Sequence, residues 1–295
     1  MTLGKDELRA LADEACRAAR AVGNLINSSG QPQVESKLGG GSAASQVVTD
    51  IDRRAERCIL EILAPTVTSF DLAILSEERP DDKERLSKPY FWSIDPLDGT
   101  LPFIEGQAGY AVSIALVSRA GVPVLGVVFD PVRKVLYRAV AGHGYSCEPV
   151  LDAPVALGES LSVFADRSFE RSPNRDMLIG ELHAIADEQG LAGIDLRVGA
   201  GAVMNACYAL ETPPACYVKL PKRDKGGGSL WDFAATACLF GEAGASATDV
   251  AGAPLDLNRP DSTFMNHRGV IFATDAALAA QIRLRWSLAF GEPER

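Results

Sequence analysis

Three short runs, far apart in the chain, share one chemistry: Ser76-Glu77-Glu78, Asp95-Pro96-Leu97-Asp98-Gly99-Thr100 and Trp231-Asp232-Phe233-Ala234-Ala235. They offer carboxylates and a Gly-Thr turn without histidine or cysteine, the ligand set of hard divalent cations rather than of zinc or iron. Asp95 and Asp98, three residues apart across a turn stiffened by Pro96, can aim both carboxylates to one side. Gly99 and Thr100 then leave backbone N–H groups to face an anion. Cations and a phosphate gathered at one turn suit hydrolysis of a phosphate ester. The plain alternative is a surface turn, because Asp, Pro and Gly are common turn residues. Average usage, however, yields this hexapeptide by chance in on the order of one in a few thousand chains of this length. Taken alone, Glu77 and Glu78 read as a solvated loop edge, and Asp232 as an acid that stabilises the exposed N–H groups of a helix start.

Such acids need strand ends and a helix start to hold them. Apolar runs of strand length precede both N-terminal motifs, Ala73-Ile74-Leu75 before the Glu pair and Tyr90-Phe91-Trp92-Ser93-Ile94 before Asp95. Residues 110–117 and 124–129, joined by Arg119-Ala120-Gly121, read as antiparallel neighbours. Upstream, Leu8, Leu11, Ala15, Ala18, Ala19, Val22 and Ile26 recur at helical spacing, as do Ala55, Cys58, Ile59 and Ile62. Helices are expected over residues 5–26 and about 52–63. Gly30-Gln31-Pro32 ends the first, and the glycine-rich stretch from Lys37 through Ser42 reads as a mobile flap. Beyond about residue 150, strands at 160–165, 195–198, 215–219 and 270–273 alternate with helices near 174–189, after Gly199-Ala200-Gly201-Ala202, from Trp231-Asp232 and at the C-terminus. This α/β pattern predicts an α+β unit over residues 1–155, carrying most of the acids, stacked on an α/β unit over 156–295 that carries Asp232.

With 295 residues, 47% hydrophobic and 23% charged, the chain is of ordinary globular composition. A net charge of −10 argues against nucleic acid and anionic membrane as partners, since their phosphates would be repelled over most of the surface. A small anion can still be drawn to a local positive site. The six cysteines lack CxxC spacing and read as buried thiols of a reducing compartment. No apolar signal core opens the sequence and no apolar run approaches a membrane span, so a cytoplasmic location is expected. His143, His183 and His267 are isolated and lack metal spacing, and Gly39 to Ser42 lacks the lysine of a P-loop.

The three acidic runs occur in the order of a family pattern: a Glu-Glu pair after a strand, D-P-[IL]-D-G-T, then W-D-x-A-A. Val48-Thr49-Asp50-Ile51-Asp52 is similar to the upstream V-T-x-x-D, and Pro254-Leu255-Asp256-Leu257 fits near the end. Over nearly its whole length the chain resembles the inositol monophosphatase family, within the wider group of lithium-sensitive, magnesium-dependent phosphatases, and most of all the 3′(2′),5′-bisphosphate nucleotidase branch. The resemblance implies a layered α-β-α-β-α sandwich and a small phosphorylated metabolite as substrate. It implies one magnesium held by Glu77, Asp95 and the Leu97 carbonyl, a second shared by Asp95, Asp98 and Asp232, and in some relatives a third ion beside Glu77. Glu77, Thr100 and Asp52 would be catalytic, with Thr100 orienting the attacking water and Asp52 aligning the threonine hydroxyl. The N–H groups of Gly99 and Thr100 would hold the phosphate, and Gly201 and Ala202 would contact substrate. Lithium inhibition and a homodimer are implied in the same way. Without the resemblance, Asp52 reads equally well as a solvated residue at a helix N-terminus.

The departures bear on substrate. Relatives often carry G-S-x-x-K where this chain has Gly201-Ala202-Val203-Met204-Asn205, so a serine hydroxyl and a lysine charge are missing. Thr236 follows the W-D-x-A-A run where relatives have Gly or Pro. Lys219 stands where inositol phosphatases typically place a glutamate that binds sugar hydroxyls. With Lys222, Arg223 and Lys225 in an insert ending at Gly226-Gly227-Gly228, Lys219 would favour a substrate with a second phosphate, as in a 3′(2′),5′-bisphosphonucleoside, over a neutral inositol ring. A solvated basic loop is the plain alternative. Inositol monophosphatase activity is the second functional expectation, and a regulatory protein that keeps the fold without turnover is the third.

Overall fold

A computed structural model describes residues 2–29, 34–36, 47–149 and 158–290. The elements in order are α1 (Lys5–Ser28), β1 (Val34–Ser36), β2 (Val47–Thr49), α2 (Asp50–Phe70), β3 (Ala73–Ser76), β4 (Tyr90–Asp98), α3 (Thr100–Ile104), β5 (Ala111–Ser118), β6 (Pro123–Asp130), β7 (Val135–Val140) and β8 (Gly144–Glu148). There follow β9 (Leu161–Ala165), α4 (Arg175–Glu188), β10 (Ile194–Val198), α5 (Ala202–Glu211), β11 (Ala215–Lys219), α6 (Leu230–Glu242), β12 (Ser246–Thr248), β13 (Val270–Ala273) and α7 (Ala276–Phe290). Strands β3 to β8 form a six-stranded sheet in sequence order, antiparallel except for the β3–β4 pair, and a five-stranded sheet runs β10-β9-β11-β13-β12.

Three apolar layers explain the stacking. On one face of the six-stranded sheet, Trp92, Ile94, Val112, Ile114 and Val127 meet the buried stripes of α1 and α2. On its other face Phe91, Ala115 and Tyr137 meet α5 and α6, whose far sides meet Phe164, Tyr217 and Phe272 of the five-stranded sheet. Behind that sheet, Val163, Cys216 and Ile271 pack on α4 and α7. The result is the expected α-β-α-β-α sandwich. Strand β4 is buried on both faces, so its side chains alternate between the α1/α2 layer and the central layer, and Ser93 and Asp95 follow Phe91 toward the centre.

Helix α2 runs well beyond the expected residue 63. The helix contains Pro65 and places Thr66 where Trp92 Nε1 donates to its hydroxyl at 3.0 Å. Strands β7, β8 and β12 were not expected from the sequence. The glycine-rich run from Lys37 through Ser42, and the boundary near residue 155, lie outside the described residues. Polar ties join the two halves: Arg85, wholly buried, donates to Asn258 Oδ1 at 2.5 Å and to the Arg259 carbonyl at 2.7 Å, and nearer the surface Arg133 grips Glu211 through two bonds of 2.6 and 2.8 Å.

Candidate metal centre

Parallel pairing sets Ser76 opposite Ile94, and the Glu77 N–H donates to the Ile94 carbonyl at 3.2 Å, so the register brings Glu77 beside Asp95. Two residues three apart on a regular strand point to opposite faces. Here the β4–β5 ladder is interrupted between Asp95 and Asp98, and the Leu97 N–H folds back onto Asp95 Oδ1 at 3.0 Å. This irregularity turns Asp98 to the same side as Asp95.

Asp98 then reaches across to the second half of the chain. Its Oδ1 accepts from the Ala202 N–H at 3.2 Å and its Oδ2 from the Val203 N–H at 2.9 Å, in the first turn of α5. That approach requires glycine at the helix N-cap, because a Cβ on Gly201 would stand 2.2 Å from Asp98 Oδ2 and 2.8 Å from the Gly99 Cα. Asp232 is the third residue of α6 and closes a capping box, its Oδ2 accepting from the Ser229 N–H at 2.8 Å. The capping reading and the ligand reading of Asp232 therefore hold together. One carboxylate oxygen each of Asp95, Asp98 and Asp232 lies within 4.8 Å of the others.

Asp95 and Asp98 are buried and Asp232 half-buried. Burial, then the charges of Glu77, Asp98 and Asp232, pushes the Asp95 pKa well above the usual carboxylate range. Burial and Asp232 do the same to Asp98, against the pull of the Val203 N–H. Burial also raises Asp232, with the opposing pull of Lys219 limiting the rise. Acids this close and this dry carry both a desolvation cost and mutual repulsion, and a hard cation among them relieves both. The residues present fit such an ion.

Thr100 opens the short helix α3, and its hydroxyl donates to the Leu97 carbonyl at 3.4 Å. Helix α3 packs on β2, which leads into α2, where Asp52 is buried in the first turn. Gly99 links β4 to α3 in the left-handed region, with φ +84°.

The expected substrate contact Lys219 has a partner of its own: its ammonium pairs with Asp166 Oδ2 and lies 5.6 Å from the Phe233 ring centre. Burial works against that ammonium, but the charge and hydrogen bond of Asp166 outweigh it and raise the pKa. Asp166 Oδ1 also accepts from the Tyr217 hydroxyl at 2.8 Å and from Asn205 Nδ2 at 3.3 Å. Sequence reasoning missed Asp166, since one acid after a strand reads as a turn residue. A signal lay in Asn205, a neutral residue at a position where the family pattern has lysine.

The chain belongs to the inositol monophosphatase family, whose profile it matches over residues 7–287. It is 33% identical over 220 residues to the 3′(2′),5′-bisphosphate nucleotidase CysQ of Salmonella typhimurium, covering 74% of this chain and 82% of that one. It is 28% identical over 238 residues to the Nus factor SuhB of Pasteurella multocida, covering 81% and 84%. Among solved structures, the IMPase of Thermotoga maritima superposes with a TM-score of 0.70 at 23% identity, covering 94% and 97%. Family and relatives together mark a phosphatase. Among the described residues no helix is long and apolar enough to cross a membrane.

Proposed function

We propose that the protein is a magnesium-dependent phosphomonoesterase acting on a 3′(2′),5′-bisphosphonucleoside. The observation that carries the reading is the convergence of Asp95, Asp98 and Asp232 within 4.8 Å, with Glu77 brought alongside by strand register. In this reading Glu77, Asp95 and the Leu97 carbonyl hold one ion and Asp95, Asp98 and Asp232 a second. Bound magnesium supplies the charge that polarises a phosphate ester and activates water. The chain's own groups do the rest. Thr100, with Asp52 behind it, orients the attacking water, and the N–H groups of Gly99 and Thr100 receive the phosphate. Ala202 and Val203 fix the orientation of Asp98, and Ser229 that of Asp232, so these carboxylates need no reorganisation when substrate arrives.

The substrate assignment is supported by the resemblance to CysQ and by Lys222, whose side chain meets that of Lys219 over Gly227, one residue from the glycine that abuts Asp232. One observation favours a second reading, inositol monophosphatase: Asp166 neutralises Lys219 and offers acceptor oxygens suited to sugar hydroxyls. The likeness to a Nus factor keeps a catalytically silent regulator as the third. Phosphate release from adenosine 3′,5′-bisphosphate, inositol 1-phosphate and fructose 1,6-bisphosphate, with and without magnesium, separates them. Magnesium-dependent release, fastest from the bisphosphonucleoside and abolished in Asp98→Asn, is expected. Absence of release from all three substrates would overturn the enzyme reading.

A further inference from the structure

We propose that Lys222, rather than Lys219, receives the second anionic group of the substrate, and that Asp166 enforces this division by holding Lys219 in an internal ion pair. The inference rests on the phosphomonoesterase reading above and names the determinant of its selectivity.

Lys219 and Lys222 precede the turn Gly226-Gly227-Gly228, where all three glycines have positive φ (+112°, +81° and +92°). A Cβ on Gly227 would stand 2.8 Å from Lys222 Cε, 3.5 Å from Lys222 Nζ and 3.7 Å from Lys219 Cε, so both lysine side chains converge over this bare backbone. The next residue abuts the candidate metal centre, because a Cβ on Gly228 would stand 2.8 Å from Asp232 Oδ2. The two ammonium groups differ in one respect. Lys219 is pinned between Asp166 and the Phe233 ring. Lys222 forms no ion pair or side-chain hydrogen bond among the described residues. Its loop is held in place, the Lys222 N–H donating to the Asn266 carbonyl at 2.8 Å and Asn266 Nδ2 returning to the Lys222 carbonyl at 3.1 Å.

Electrostatics follow the same division. Partial burial and then the neighbouring Lys219 charge lower the Lys222 pKa against smaller opposing pulls from Asp224 and Asp166, whereas Asp166, bonded directly to Lys219, raises that of Lys219. An arriving phosphate or sulfate relieves the first and must compete with a carboxylate for the second. A substrate bearing two anionic groups would present one to the Asp95, Asp98 and Asp232 side and the other to Lys222. A substrate with a neutral distal group would leave Lys222 unused.

The test compares adenosine 3′,5′-bisphosphate with adenosine 3′-monophosphate, which differ in the distal phosphate alone, at saturating magnesium. For Lys222→Ala the ratio of kcat/KM for the bisphosphate to that for the monophosphate should fall about tenfold, the scale of one charge-assisted contact. Asp166→Asn, which releases Lys219, should raise that ratio, and Arg223→Ala in the same loop should leave it in place. Wild-type protein that hydrolyses neither compound overturns the phosphomonoesterase reading itself. Wild-type protein active on both, with Lys222→Ala changing both equally or neither, or with Arg223→Ala shifting the ratio as far, overturns the Lys222 assignment and leaves the broader reading standing.

Discussion

Asp95→Asn should make the metal-free protein more stable while it removes activity. Asp95 accepts from the Leu97 N–H and shares a side-chain hydrogen bond with Asp232. An asparagine of the same shape keeps both contacts, its oxygen accepting from Leu97 and its amide donating to Asp232, and deletes one buried charge. Two like charges 4.8 Å apart, the outer limit of this cluster, repel by about 3.5 kcal/mol at an effective dielectric near 20. A proton shared with Asp232 already relieves part of that, leaving a net gain of about 2 kcal/mol and a Tm rise of about 3 °C for a chain of this size.

The pH dependence has a definite direction. Burial and then Glu77 hold the Asp95 pKa above its unfolded value, so the folded state binds more protons than the unfolded state. The associated stability is complete below the unfolded carboxylate pKa and is lost as pH rises through the folded pKa. Wild-type protein in chelator should therefore lose stability as pH rises above the ordinary carboxylate range, with a shallower loss in Asp95→Asn. Excess magnesium should restore the wild type strongly and the variant weakly. Calorimetry or dye-monitored melting with chelator or magnesium measures all of this. If the variant melts below the wild type in chelator, or the chelated wild type gains stability as pH rises above that range, the electrostatic account of the cluster is wrong.

Gly201→Ala should force the start of α5 away from Asp98, costing about 1–3 kcal/mol in melting experiments and raising the magnesium concentration needed for half-maximal phosphate release. Arg85→Ala should empty a buried site and leave Asn258 Oδ1 and the Arg259 carbonyl without their donor, costing about 2–4 kcal/mol in denaturant titration, while Asp81 keeps its pair with Lys83. The buried thiols of Cys207, Cys216 and Cys238 should resist a thiol reagent at pH 8 and react once the chain is unfolded, since burial raises all three and carries Cys216 and Cys238 to about 12.

Much of the molecule was legible in one dimension. The α1 stripe, the apolar runs of β4, β5 and β6 and the alternation after residue 150 are local periodicities, and local periodicity is what sequence records most directly. The hexapeptide from Asp95 to Thr100 joined two acids to a turn, so its chemistry could be read without coordinates. Helix α2 runs past its expected end near residue 63, where Thr66 is held by Trp92, a residue distant in sequence.

The partners of each charge could not be read this way. Side-chain type and spacing determined that this protein gathers hard oxygen ligands on strand ends and a helix start. Only the tertiary structure decided that an interruption of the β4–β5 ladder turns Asp98 toward Asp95, that α5 begins against Asp98, and that Asp166 engages Lys219 while Lys222 remains without an ion pair among the described residues. The physical reason is range. Strand and helix preferences act over a few neighbouring residues, whereas a charge is set by whatever lies within a few ångströms, and folding draws those groups from anywhere in the chain.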